Sequence, residues 1–299
     1  ETNDELDELT QRMAPMLATH SVDIMTSEPL FERIKKVFEH SKNLTGEKQR
    51  LLEQTYENFV RAGALLSTED KLQLKEIKSE LSQLSLRFSQ NVLKETNAFE
   101  LHLVDEKDLA GLPQSQIDQA ALTAKEKNVE GWIFTLHAPS YVPFMTYADN
   151  RALRKKMYLA YNTRCAIEEK DSCNFEVVRR LVNLRQKMAH LLGYKNYAEY
   201  VLKRRMAEKQ ENVENLLSSL ISSYKEKAVS EIEEVKHKAK ELMGEEFRMM
   251  PWDFPYYSHK LQLEKYDWDM ELLRPYLELS NVVDGVFGLA TTLYGIKFI

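Results

Sequence analysis

The stretch Ser67-Thr68-Glu69-Asp70-Lys71-Leu72-Gln73-Leu74-Lys75-Glu76-Ile77-Lys78-Ser79-Glu80-Leu81 decides the fold class. Ser67 followed three residues later by Asp70 is a shortened capping box, so a helix opens here. Its apolar set, Leu74, Ile77, Leu81, Leu84, Phe88 and Val92, advances in steps of three and four, the spacing of a packed helical hairpin or a short coiled coil. That stripe predicts core rather than chemistry. A second run, Glu211 to Met243, places Val213, Leu217, Leu220, Tyr224, Ile232, Val235, Ala239 and Leu242 on one face. It predicts a helix of roughly 50 Å, long enough to brace a large assembly of other helices.

Working outward, the same period runs through residues 4–19, 46–66, 149–164, 171–192, 196–206, 268–278 and 281–299. Ser27 caps a further helix with Pro29 in its first turn, and Asp253 is placed to cap the one after Pro251. The period fails between 99 and 147. Phe99-Glu100-Leu101-His102-Leu103 alternates as a half-buried strand, and residues 131–136 are a second strand candidate. Gly111-Leu112-Pro113 turns into a short helix, while Pro139 and Pro143 predict irregular backbone. The expectation is a mainly α fold with long bracing helices and a small β-ribbon insertion. It divides along the chain into a helical segment 1–98, a mixed segment 99–147 and a helical segment 148–299.

Composition agrees. The 299 residues hold nine glycines and eight prolines, about half the usual share, which excludes a β-sandwich or barrel and disfavours a doubly wound sheet with glycine-rich loops. With 41 basic and 47 acidic residues the net charge is −6, so no nucleic-acid partner is expected. The local basic runs Arg151-Ala152-Leu153-Arg154-Lys155-Lys156 and Lys203-Arg204-Arg205 read as solvated helix faces. No apolar run approaches the ~18 residues of a membrane span, so no membrane partner is expected either. Cys165 and Cys173 are eight apart with no Cys-x-x-Cys, which suits a reducing compartment and a cytoplasmic location, an exported parent remaining open. Whether they pair is also open.

Both ends read as cuts. The chain opens without Met, and residues 286–299 are strongly apolar with Lys297 their one charge. The expectation is a piece of a longer protein whose apolar surface, left uncovered, self-associates.

The chemistry-bearing motifs are missing. The seven histidines, His20, His40, His102, His137, His190, His237 and His259, are never followed by Glu, so His-Glu-x-x-His is absent. Gly-x-Ser-x-Gly and the phosphate-cradling glycine motifs are absent too. Carboxylate pairs such as Glu168-Glu169, Glu233-Glu234 and Glu245-Glu246 are what an acid-rich chain carries anyway. Nothing near Cys165 or Cys173 would activate a thiol. The run Trp252-Asp253-Phe254-Pro255-Tyr256-Tyr257-Ser258-His259 suits either a half-wet cleft wall or, more simply, packing at the junction after the long helix.

Several stretches together resemble one family. Leu184-Arg185-Gln186-Lys187-Met188-Ala189-His190-Leu191-Leu192-Gly193-Tyr194-Lys195-Asn196-Tyr197-Ala198-Glu199-Tyr200 is the first, followed by Met206-Ala207. Pro251-Trp252-Asp253, Tyr256-Tyr257 and Lys265-Tyr266-Asp267 continue it. In order and wording they resemble the thimet oligopeptidase and neurolysin family of zinc metallopeptidases, which includes oligopeptidase A and the peptidyl-dipeptidases. Leu273-Arg274-Pro275-Tyr276-Leu277-Glu278-Leu279 and Asn281-Val282-Val283-Asp284-Gly285-Val286-Phe287 are similar to the peptidyl-dipeptidase Dcp, with Leu277 in place of the usual Phe. Phe59-Val60-Arg61-Ala62-Gly63-Ala64 and Leu109-Ala110-Gly111-Leu112-Pro113 add to that likeness.

The resemblance implies a neurolysin-like peptidase half. The parent would cleave short peptides with zinc-activated water, and its zinc ligands and substrate-binding tyrosines would lie C-terminal to this chain. This chain would supply one wall of a substrate channel, with no catalytic or metal-ligating residue, no zinc of its own and substrate-binding residues unassigned. Its partners would be short peptides and the missing C-terminal half. Two other readings stand beside it: a non-catalytic helical scaffold that binds peptides or proteins, and a hydrolase built from dispersed residues.

Overall fold

The computed structural model describes residues 3–41 and 44–298, roughly three quarters of them helical. Ile299, the last residue of the apolar C-terminal run, lies outside the described residues. The helices begin with α1 (Asp4–Met25), α2 (Glu28–His40), α3 (Gly46–Ala62) and α4 (Thr68–Ala98). Strand β1 (Leu101–Leu103), α5 (Gln114–Glu126), β2 (Trp132–Phe134), α6 (Ala138–Tyr147) and α7 (Arg151–Asn162) follow. The order closes with α8 (Phe175–Leu191), α9 (Tyr197–Leu202), α10 (Gln210–Met243), α11 (Phe254–Tyr266) and α12 (Leu279–Tyr294). Two compact units interleave in sequence: Glu1–Glu95 with Thr163–Ser223, and Thr96–Asn162 with Tyr224–Ile299. Two of the three divisions fall inside α4 and α10, and the third directly follows α7.

In the first unit, Ser67 Oγ accepts the Asp70 N–H at 3.1 Å and donates to Asp70 Oδ2 at 2.8 Å, so α4 starts as the capping box requires. Leu74 and Ile77 then bury against Leu184 and Met188 of α8. The stripe thins along the helix, and Phe88 is exposed. A second cluster centres on Phe31 of α2, stacked on Tyr56 and Phe59 of α3. The Leu192–Tyr200 wording serves packing: Arg61 donates to the Tyr194 hydroxyl at 3.0 Å and the Tyr200 carbonyl at 2.6 Å, its guanidinium 4.6 Å from the Tyr200 ring centre. The helix expected over 196–206 ends at Leu202, after which the chain turns.

In the second unit the ribbon forms as expected, antiparallel, with Leu101 opposite Phe134, His102 opposite Ile133 and Leu103 opposite Trp132. The period of two sends Leu101, Leu103 and Phe134 into a core shared with Leu136, Phe144 and Met157. Gly131, at φ +93°, makes this possible, because a Cβ there would stand 2.2 Å from the Leu103 carbonyl oxygen. The irregular backbone expected at Pro139 and Pro143 is instead helix α6. Pro139 falls in its first turn, where an N–H has no partner to lose, and Pro143 removes one ladder bond. Conversely, the helix expected over 268–278 is a 3-10 turn, Met270–Tyr276, capped by Asp269 and carrying Pro275 inside it. On α10, Val235 and Ala239 are buried with Tyr257, while Leu217, Leu220, Tyr224, Ile232 and Leu242 remain exposed.

Two expectations are corrected at one place. The run 151–156 is not simply a solvated face, since Arg154 is 1% exposed, and Asp253 does not cap α11 with its side chain. The fully buried Asp253 carboxylate accepts from Arg154 Nη2 at 3.0 Å, Arg151 Nη2 at 2.7 Å and the Met250 N–H at 2.9 Å. Arg154 completes its set on the Ala148 and Asp149 carbonyls at 2.7 and 3.1 Å. The cause is desolvation: a buried charge survives only where opposite charge and hydrogen bonds surround it. Burial pushes the Asp253 carboxyl up, but the bonds from Arg151, Met250 and Arg154 outweigh it and hold its pKa below the ordinary value.

Removing that carboxylate leaves two guanidinium groups facing one another. Asp253→Asn should cost about 3–5 kcal/mol, and Arg151→Met, at a side chain 41% exposed, about 1 kcal/mol. Urea denaturation of both variants checks this, and equal midpoints for Asp253→Asn and the parent chain would refute it. A pH dependence follows from the lowered pKa. The stabilisation is complete above the unfolded-chain value of about 3.9 and is lost as pH falls through the lower folded value. Stability measured from pH 6 to pH 2 should therefore drop by a component missing in Asp253→Asn; parallel curves for the two proteins would contradict it.

Candidate functional site

The second unit carries a cleft of about 620 Å³, a size usual for small-ligand sites. One wall is α5, the other the 3-10 turn Met270–Tyr276, with the start of α6 across the end. Local sequence explains the floor. Helix α5 buries Gln116, Ala120 and Ala124 at four-residue spacing, so small side chains let the helix lie close to β2. Ile133 sits on the opposite face of the ribbon from Phe134 and closes the bottom beside Ala120.

Most polar groups at the rim are already engaged. Ser115 Oγ donates to Glu271 Oε2 at 3.3 Å and accepts from Arg274 Nη1 at 2.6 Å, and Arg274 pairs with Glu271 at 3.1 Å. Thr123 Oγ1 donates to the Gln119 carbonyl, and Ser140 Oγ accepts the Thr135 N–H at 3.0 Å. The Gln116 side-chain amide is different: the residue is 8% exposed, and no protein group among the described residues bonds to that amide.

Behind the 3-10 turn a tyrosine–acid network fixes the wall. Tyr147 donates to Asp269 Oδ1 at 2.8 Å, and Asp269 also accepts the Glu271 N–H at 3.0 Å. Burial first, then the bond to Asp269, pushes the Tyr147 phenol far above its ordinary pKa. Tyr256 donates to Asp149 Oδ1 at 2.7 Å and is raised in the same way, by burial and then by Asp149. Both phenols stay protonated as donors. His259 lies edge-on to Tyr147 at 4.6 Å, with burial lowering its pKa against the opposing pull of Asp269.

The residues singled out in the sequence mostly pack. Of the run 252–259, Trp252 joins the ribbon core and Tyr257 packs on Phe247, Val235 and Ala239, which is the junction-packing alternative. The histidines stay apart. His102 bonds the Glu130 carbonyl, His190 the Lys195 carbonyl, and His137 stands at the mouth of the cleft. Among the described residues no group of three His, Cys, Asp or Glu side chains is placed to hold a metal ion. Cys165 and Cys173 are free thiols. Burial, then the Glu95 carboxylate, pushes the Cys165 thiol up, so it is a poor nucleophile. That Glu95 ties down the loop after α7, accepting from the Cys165 N–H at 3.0 Å and from the Ser172 hydroxyl.

Sequence reasoning missed Gln116, Tyr147, Asp149 and Asp269. Gln116 had a signal, a glutamine heading a stripe of alanines at i, i+4 and i+8. The tyrosine–acid pairs had none, since their members are 107 and 122 residues apart.

Helix α12 has no buried residue, and Leu279, Val286, Phe287, Leu289, Leu293 and Tyr294 are all exposed. No helix among the described residues is long and apolar enough to cross a membrane.

Comparison with known proteins gives these features a family. The sequence pattern of peptidase family M3 matches residues 144–299. Oligopeptidase A of Escherichia coli (strain K12) is 33% identical over 297 residues, covering 98% of this chain and 44% of its own length. Dipeptidyl carboxypeptidase of the same organism is 33% identical over 304 aligned positions, covering 100% and 44%. Organellar oligopeptidase A of Arabidopsis thaliana is 38% identical over 280 residues, covering 90% and 35%. The chain thus spans less than half the length of these relatives. The chain belongs to peptidase family M3.

Proposed function

We propose that this chain is the N-terminal to middle part of a zinc-dependent oligopeptidase or peptidyl-dipeptidase and forms one wall of its substrate channel. One observation carries the reading: oligopeptidase A and dipeptidyl carboxypeptidase align along 98% and 100% of this chain while extending to more than twice its length. The zinc ion would supply a Lewis acid and a nucleophilic water when bound. Its ligands and the general base come from a segment outside this chain, and no step of the reaction is assigned to residues present here. The contribution of this chain is shape: rigid helices, a ribbon, and a cleft wall held by the Tyr147–Asp269 pair. The apolar face of α12 supports a partner segment that covers it, the C-terminal half of the same protein.

The reading frame that encodes this chain should continue past Ile299 into a His-Glu-x-x-His helix. Its complete product should hydrolyse an internally quenched peptide and lose that activity to a chelator, while residues 1–299 alone should not. A stop codon directly after Ile299, or chelator-insensitive hydrolysis by the 299-residue chain, defeats the proposal. A complete product that binds peptides without cleaving them would return the chain to the scaffold alternative.

The exposed α12 makes a further expectation. The isolated chain should self-associate through that helix, and replacing Leu289 and Leu293 with Glu should restore the monomer. Light scattering that finds a monomer at high concentration before any substitution would count against it.

A further inference from the structure

The cleft of the second unit has a chemical signature apart from its shape. Its charges cancel internally, because Arg274 and Glu271 pair with each other and share Ser115. A phosphate or a free carboxylate would have to break that pair to be bound. Its floor is apolar, formed by Ala120 and Ile133, and Leu273 and Leu277 add apolar surface on the far wall. One buried polar side chain among the lining residues is left over. Gln116 is buried by more than nine tenths, lines the cleft, and has no protein partner for its side-chain amide. Neighbouring polar side chains of α5 show the contrast: Gln114 donates to Asp118 at 2.8 Å, and Ser115 is bonded twice.

The Gln116 carboxamide is not a sealed-off unpaired group: its polar atoms open to the cleft, where water or a ligand can meet them. A carboxamide offers one acceptor and two donor hydrogens on a planar group. Its complement is another planar amide, a peptide unit that presents N–H and C=O side by side. The apolar floor one helical turn further on, at Ala120, lies where the adjoining side chain of such a ligand would rest.

We propose that this cleft binds a neutral, extended peptide segment, with Gln116 hydrogen-bonding one peptide unit and the Ala120–Ile133 floor receiving an adjacent apolar side chain. The site deepens the peptidase reading, on which it rests for peptide as the ligand class. It involves no cleavage, so the two can fail separately.

The test uses the 299-residue chain and acetyl-Ala-Leu-Ala-methylamide, a probe with both ends blocked. Isothermal titration should show binding of this probe, and weaker binding of acetyl-Ala-Asp-Ala-methylamide and of the free-acid form acetyl-Ala-Leu-Ala. Gln116→Met keeps the volume and removes the carboxamide. It should weaken binding by about tenfold or more while leaving the thermal midpoint unchanged, since the carboxamide faces the cleft and holds no protein group. A Gln116 with a merely structural role would lower the midpoint instead. Gln119→Trp, at an exposed position on the rim, should block the cleft without touching the core. No binding of the neutral probe at millimolar concentration, or undiminished binding in either folded variant, overturns the proposal.

Discussion

Asp253 sits where three pieces of the second unit meet: helix α7 through Arg151 and Arg154, the backbone at Met250, and the first turn of α11. A fully buried carboxylate costs several kcal/mol to desolvate, and here two guanidinium groups and one N–H offset that cost in fixed directions. The direction matters as much as the energy. Because Arg154 is also held by the carbonyls of Ala148 and Asp149, the end of α6 is tied to the start of α11. Tyr256 then stacks beneath the same guanidinium, 4.1 Å from its ring centre, and reaches Asp149. Tyr147 and His259, which steady the cleft wall through Asp269, inherit their positions from this arrangement.

Much of the architecture was legible because it is local. The α4 cap is written within four residues, and the ribbon strands within three to five. What escaped was anything set by a distant partner. Arg154 looks like its neighbours Lys155 and Lys156 until Asp253, 99 residues later, is brought beside it. Pro139 carries the same chemistry in a loop or a first helical turn, Pro143 costs the helix one ladder bond, and the ribbon core still decides for the helix. The α10 stripe was a correct helical period, but period reports a shared face and not what covers it. Gln116 lay in between: its spacing was visible, and its lack of a partner was not.

The family wording has a physical meaning of its own. Tyr194 and Tyr200 grip Arg61, and Trp252, Asp253 and Tyr257 fill the junction between α7, α10 and α11. These residues identify the family through what they hold in place. The candidate peptide contact is made by a residue outside all of those motifs, on a helix that the resemblance leaves unremarked.

The interleaving of the two units sets a schedule for synthesis. Arg154 leaves the ribosome 99 residues before the carboxylate that neutralises it. At ~5–20 residues per second that is a wait of roughly 5–20 s. During it, the ribbon and α5 to α7 can collapse on Phe134 and Phe144, while α8 and α9 assemble against α4. The second unit is left with an open seam and an uncompensated pair of arginines throughout. That local excess of positive charge is neutralised only when the chain reaches Asp253.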